Sequence, residues 1–283
     1  MADFPAVEFW TAGDGARLAL HRRAARGGGT PRGAVLLVHG FGEHAGRYAH
    51  VADWLAARGL AVYAVDQRGH GRSPGRRGHV ERFAQYVADV VALRKLVQAE
   101  VSGPFVLYGH SFGGLIVLRY LATAPAGVAG AIVTSLFLDV AMRVPRWKTA
   151  LAALLVNALP AAPVPTGMVL AHLSTDPGVA PAVRADPLCH QVMSPRAWHE
   201  IQAAQRLALA ERDRIGVPLF VGFAGDDRIV SAAATRAFAT GLVGDVTTRE
   251  YAGMFHEIHN ERERDRVFAD LGAWLGRVLG ASA

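Results

Sequence analysis

The chain has 283 residues, 51% of them hydrophobic and 19% charged, with a formal net charge of +6 carried by scattered arginines. That size and composition fit one large α/β domain, or a domain with an inserted module, and exclude a disordered chain. A single cysteine, Cys189, excludes an intramolecular disulfide and a cysteine-based metal site, and without a basic run interleaved with aromatics nucleic-acid binding has no support.

Met1 to Pro5 show neither a basic n-region nor an apolar h-region, so no secretory leader is expected and the reading is cytoplasmic. Arg17 to His21 alternates and predicts an early strand, paired in a hairpin with Val7 to Trp10. Ala34 to Val38 is a continuous apolar run, the pattern of a buried strand, ending at His39-Gly40. A helix follows near Arg47 to Arg58 with Val51, Trp54 and Leu55 on one face, then a strand from Leu60 to Val65 that ends at Asp66. Phe83, Val87, Val90, Val91 and Val97 mark a helix leading into the apolar run Pro104 to Tyr108. The next helix runs from just after Ser111 to about Thr123, stopped by Pro125, and Ala131 to Val133 begins another strand.

There the alternation stops. From about Asp139 to Arg214 the chain reads as helical and proline-rich, without clear strands. Its most apolar stretch, Ala150 to Leu173, is broken by Pro160, Pro163 and Pro165, and a spanning helix needs roughly 20 unbroken apolar residues. The sheet pattern restarts at Val217 to Val221, continues at Val246 to Tyr251, and closes with a helix bearing Val267, Leu271, Trp274 and Val278 on one face. This predicts a mostly parallel central sheet flanked by helices, formed by residues 1–138 and 215–283, with an inserted helical cap at 139–214. The alternative for the insert is simply more core helices. Leu151, Leu154, Leu155 and Val156 fit core packing or an acyl channel and membrane-facing lid equally well.

In open parallel sheets, ligands bind beyond the carboxyl ends of the strands. Gly109-His110-Ser111-Phe112-Gly113 stands at one such end, a G-x-S-x-G turn between a strand and a helix. Asp227 and His256 stand at two later ends, giving the order serine, acid, histidine. A serine hydroxyl needs a base to take its proton and a carboxylate to orient that base. Ser111, Asp227 and His256 supply those parts, with Asp226 and Asp139 as alternative acids. The backbone N–H groups of Phe112 and Phe41 are candidates for an oxyanion hole. His39, His70 and His110 read as hydrogen-bonding scaffold. No H-E-x-x-H or similar spacing is present, so neither a metal nor any cofactor is expected.

His39-Gly40-Phe41-Gly42-Glu43-His44-Ala45-Gly46-Arg47-Tyr48 resembles the H-G-x-G-E-H-x-x-R-Y stretch of monoacylglycerol lipases. Asp66-x-Arg68-Gly69-His70-Gly71-x-Ser73, Gly109-His110-Ser111-x-Gly113-Gly114, Asp186-Pro187-Leu188, Asp227-Arg228 and His256-Glu257-Ile258-x-Asn260-Glu261 follow in that family's order. The resemblance runs from about Val7 to Leu275 and is weakest in the cap. It implies an α/β-hydrolase fold, a lid that meets lipid, and hydrolysis of monoacylglycerol to fatty acid and glycerol. It also implies glycerol contacts from Glu43, Arg47 and His259, although Glu43 and Arg47, four residues apart, could instead be a structural ion pair. A lysophospholipase, a short-chain carboxylesterase and a non-catalytic ligand-binding protein are the other readings. Phe112 departs from the methionine usual after the nucleophile, and its bulk at that point would narrow the acyl entrance.

Overall fold

The computed structural model describes Phe4 and residues 7–123, 126–141 and 154–280. Pro125 and Leu151 fall outside them. Eight strands form one sheet in the order β1 (Val7–Thr11), β2 (Arg17–Arg23), β4 (Leu60–Val65), β3 (Gly33–Val38), β5 (Phe105–His110), β6 (Gly130–Thr134), β9 (Leu219–Ala224), β10 (Val246–Tyr251). β1 and β2 form an antiparallel hairpin, β2 runs antiparallel to β4, and every other pairing is parallel.

The continuous apolar runs explain why the centre is parallel. Every residue of β3, β4, β5 and β9 is buried, so both sheet faces must be covered. Side chains alternate across a strand. Leu36 and Val38 face a core built with α2 (Ala84–Glu100) and α3 (Phe112–Thr123), where Leu93, Leu115 and Leu118 meet them. Val35 and Leu37 face the opposite core, shared with Leu55 of α1 (Ala49–Ala56) and with Leu271 and Trp274 of the last helix (Arg264–Val278).

Between β6 and β9 the main sheet receives no strand among the described residues. This segment holds a short helix, α4 (Val179–Ala185), a longer one, α5 (Pro195–Ala210), and an antiparallel ribbon of β7 (Val164–Pro165) with β8 (Val192–Met193). The ribbon is a departure from the strand-free expectation. Two residues per strand are too few to show alternation, and Pro165, lacking an N–H, sits where a minimal ribbon tolerates it. Ala197, Ile201, Ala204 and Ala208 on one face of α5 join the same core as the sheet and α3. Leu170, Leu173 and Val183 instead form a small cluster of their own. Leu154 and Leu159 are exposed, while Val156 is buried.

Candidate active site

The strand-to-helix turn after β5 is built by crowding. Ser111 has φ 52°, a left-handed conformation unusual for a residue with a side chain, and it sits between a fully buried strand and the first residue of α3. Its N–H donates to Thr134 O at 2.8 Å, and its carbonyl accepts from Leu115 N at 3.1 Å and Phe137 N at 3.3 Å. The backbone is therefore fixed on both sides and the strain is held in place. Gly113 is required by approach: a Cβ there would collide with the carbonyl oxygens of Val38 and His39 on the neighbouring strand.

Ser111 Oγ lies 3.0 Å from His256 Nε2, and His256 Nδ1 lies 2.8 Å from Asp227 Oδ2. A carboxylate can only accept, so Nδ1 carries the proton and Nε2 presents its lone pair to the serine hydroxyl. Asp227 Oδ1 accepts from Ile229 N at 2.8 Å and Val230 N at 2.9 Å, which fixes the carboxylate. Asp226 points elsewhere and accepts from Gly253 N. Asp139 is exposed and accepts from its own neighbour, Val140 N. The geometry thus brings Asp227, and neither alternative acid, to His256.

Burial disfavours the charged imidazole of His256, but the charge and hydrogen bond of Asp227 outweigh it and raise the pKa above 6.5. A general base works in its neutral form. The expected pH profile of kcat/KM on a neutral ester therefore rises by one log unit per pH unit and levels off only beyond an apparent pKa above 6.5. An acid limb centred at or below that value would contradict the assigned base.

The site opens into a cavity of about 580 Å³. Leu155, Met168, Leu173, Val183, Met193 and Trp198 from residues 154–198 form much of its apolar wall. Phe41 and Gly42 line it beside Ser111. Gly42 has φ +77°, and a Cβ there would strike the carbonyl oxygen of His190, whose N–H donates back to Gly42 O at 2.8 Å. The loop carrying the Phe41 N–H is thereby clamped from above. The N–H of Phe112, in the first turn of α3, has no intrahelical acceptor.

Phe112 corrects one expectation. Its side chain is fully buried and turned into the core, against Tyr86 (centroids 5.1 Å), Phe41 (5.5 Å) and Phe83 (5.9 Å), all edge-to-face. It supports the Phe41 ring and is not among the residues that line the cavity. Phe112→Ala is expected to cost about 3–5 kcal/mol by denaturant unfolding, with acyl chain-length preference unchanged. A shift in that preference without loss of stability would refute this placement.

Glu43 and Arg47 do line the cavity, as a connected ion cluster. Arg47 Nη1 donates to Glu43 Oε2 at 2.6 Å and to Glu257 Oε1 at 2.6 Å, and Nη2 donates to Glu257 Oε2 at 2.7 Å. Glu43 Oε1 accepts from Gly40 N at 2.6 Å and from the Tyr48 hydroxyl at 2.5 Å. Burial alone would raise Glu257, but Arg47 and the Asn260 side chain hold it down to about 2. Glu257 was not assigned a role from the sequence. The signal was an acid next to His256, yet its partner is 210 residues away.

The structure does not bring His259 to the cavity wall. It is fully buried, stacked on Tyr48 (4.7 Å) and edge-on to His110 (4.7 Å). Burial holds its pKa well below 6.5, so it stays neutral. His39 and His110 behave as scaffold: His39 bonds Gly40 O and accepts from Gln67 N, and His110 bonds Thr134 Oγ1.

Among the described residues, His44, Asp186 and Cys189 bring potential metal-ligand atoms within 4.8 Å of one another. His44 Nδ1 accepts from Gly46 N, so Nε2 carries the proton donated to Asp186 Oδ2 at 2.8 Å. Burial pushes the Cys189 thiol up to about 12. Two of the three ligands thus hold protons that a metal would have to displace.

Comparison with known proteins gives a consistent picture. The family described as serine aminopeptidase, S33, matches residues 29–263. A monoacylglycerol lipase of Mycolicibacterium smegmatis is 34% identical over 251 residues, covering 87% of this chain and 88% of that protein. The monoglyceride lipase of Homo sapiens is 30% identical over 266 residues, covering 88% and 84%. The crystal structure of Paleococcus ferrophilus monoacylglycerol lipase superposes with a TM-score of 0.82 at 31% identity, covering 92% of this chain and 99% of that one.

Proposed function

Because the chain belongs to the serine aminopeptidase S33 family, has the α/β-hydrolase fold and is a carboxylic ester hydrolase, we propose that it cleaves monoacylglycerol to fatty acid and glycerol through an acyl-Ser111 intermediate. The observation that carries this reading is the hydrogen-bonded chain Ser111–His256–Asp227 at the wall of a cavity whose lining is largely apolar but includes an ion cluster. An acyl chain suits the first surface and a polyol head group the second.

In this mechanism Ser111 Oγ attacks the ester carbonyl carbon while His256 Nε2 takes the hydroxyl proton. The carbonyl oxygen becomes an oxyanion held by the N–H groups of Phe41 and Phe112, each donor worth about 3–4 kcal/mol of barrier. Collapse breaks the bond to glycerol, and the Nε2 proton goes to the leaving oxygen. A water molecule then gives its proton to Nε2 and attacks the acyl-serine. The second collapse releases the fatty acid and returns the proton to Ser111. Asp227 keeps the imidazole oriented and stabilises its charged form throughout.

The same reading treats residues 139–214 as a cap that touches a lipid surface transiently, the chain being otherwise cytoplasmic. Leu154, Leu159, Val164 and Val169 are exposed apolar residues of that segment, and no helix among the described residues is long and apolar enough to cross a membrane.

Fluorophosphonate labelling tests the assignment. The probe is expected to modify the peptide containing Ser111 stoichiometrically, and saturating monoacylglycerol is expected to slow it. Failure to label would favour a ligand-binding protein without catalysis.

A further inference from the structure

We propose that Glu257, together with Asp186, makes the ion-cluster wall of the cavity reject phosphorylated head groups, so that the site selects esters of uncharged polyols. The inference rests on the monoacylglycerol reading and names the head groups which that same site refuses.

Glu43, Glu257 and Asp186 all line the cavity, and Arg47 is the guanidinium among them. Three of the Arg47 hydrogen bonds end on Glu43 and Glu257, two of them as a bidentate pair with Glu257. Its charge is thus neutralised where it stands. The Arg47 side chain is 12% exposed and that of Glu257 2%, so water and salt screen them little. Asp186 lies within electrostatic reach of Arg47, and its oxygens take His44 Nε2–H and Leu188 N–H. Three carboxylates, of which Asp186 is the most exposed with 28% of its side chain accessible, stand against one guanidinium and give this part of the wall a formal charge of −2. Arg184, the other guanidinium of the wall, is exposed and screened by solvent.

A phosphate monoester brings a further charge of about −1.5 to −2 at neutral pH. Placed beside Glu257 it meets like charge in a poorly screened site, and Arg47 is already committed. Glycerol brings no charge, and its hydroxyls donate into remaining carboxylate lone pairs. A glutamine at 257 keeps the size of the side chain, removes one negative charge and cannot accept both Arg47 donors. It therefore lowers the repulsion and frees a guanidinium edge for phosphate.

The test compares kcat/KM for a 1-monoacylglycerol and for the lysophosphatidate with the same acyl chain, in the native enzyme, Glu257→Gln and Asp186→Asn. The native enzyme is expected to favour monoacylglycerol by about 100-fold or more. In Glu257→Gln that ratio falls about tenfold, equivalent to about 1.4 kcal/mol, and in Asp186→Asn it falls by a smaller factor. If Glu257 only holds Arg47 in place, both esters lose rate together and the ratio stays constant, which overturns the inference. Should Glu257→Gln not fold, an unchanged ratio in Asp186→Asn overturns it equally. A native enzyme that cleaves neither lipid but does cleave a p-nitrophenyl acyl ester overturns the monoacylglycerol reading beneath it, a result distinct from the other two.

Discussion

Ser111→Ala is expected to lower kcat on ester substrates by about 10⁶-fold, equivalent to about 8 kcal/mol of barrier, and to abolish fluorophosphonate labelling. The size follows from the mechanism. Without Oγ there is no acyl intermediate, and His256 is left facing a methyl group. Substrate affinity should change little, because the cavity and the ion cluster in its wall do not use Oγ. The turn itself favours the variant as a clean test: alanine keeps the residue small, and Ser111 is held in its left-handed conformation by backbone hydrogen bonds to Thr134, Leu115 and Phe137. Retention of more than about a thousandth of native turnover would remove Ser111 from the mechanism.

The second large effect separates two adjacent acids. Asp227→Asn is expected to reduce kcat by about 10⁴-fold, because an amide can donate to Nδ1 and so favours the wrong imidazole tautomer. Asp226→Asn is expected to cost less than about tenfold, since Asp226 accepts from the Gly253 N–H and lies off the histidine. Steady-state kinetics on one ester settle the pair, and the reverse order would reassign the acid. The Asp227 variant should also lose the upward shift of the His256 pKa, moving the acid limb of its residual activity to lower pH.

What could be read from the chain divides along a physical line. β3, β4, β5 and β9 are visible because strands covered on both faces are apolar runs, and the ends of β5 and β9 mark where Ser111 and Asp227 stand, whereas His256 follows the part-exposed edge strand β10. Local chemistry carried that much: a crowded turn demands glycine, and chain order restricts the acid and base. Directions of side chains were not visible. Phe112 could face the acyl entrance or the core, and packing against Tyr86 and Phe83 decides for the core. His259 shares its short segment with His256, yet Tyr48 and His110 enclose it away from the cavity. Glu257 stands beside the base in sequence, but its role comes from an arginine in the short 3-10 helix Ala45–Tyr48 after β3. Periodicity in α5 shows an amphipathic helix, and only the fold shows that its alanine face packs into the main core.

The proposed substrate of this hydrolase is monoacylglycerol. The most direct measurement is kcat/KM for a 1-monoacylglycerol against lysophosphatidylcholine of the same acyl chain, presented in mixed micelles of one composition. The proposal predicts a preference for the monoacylglycerol of at least about tenfold, with turnover of both lipids lost in Ser111→Ala. A preference for the phospholipid, or equal turnover of the two, would contradict the account.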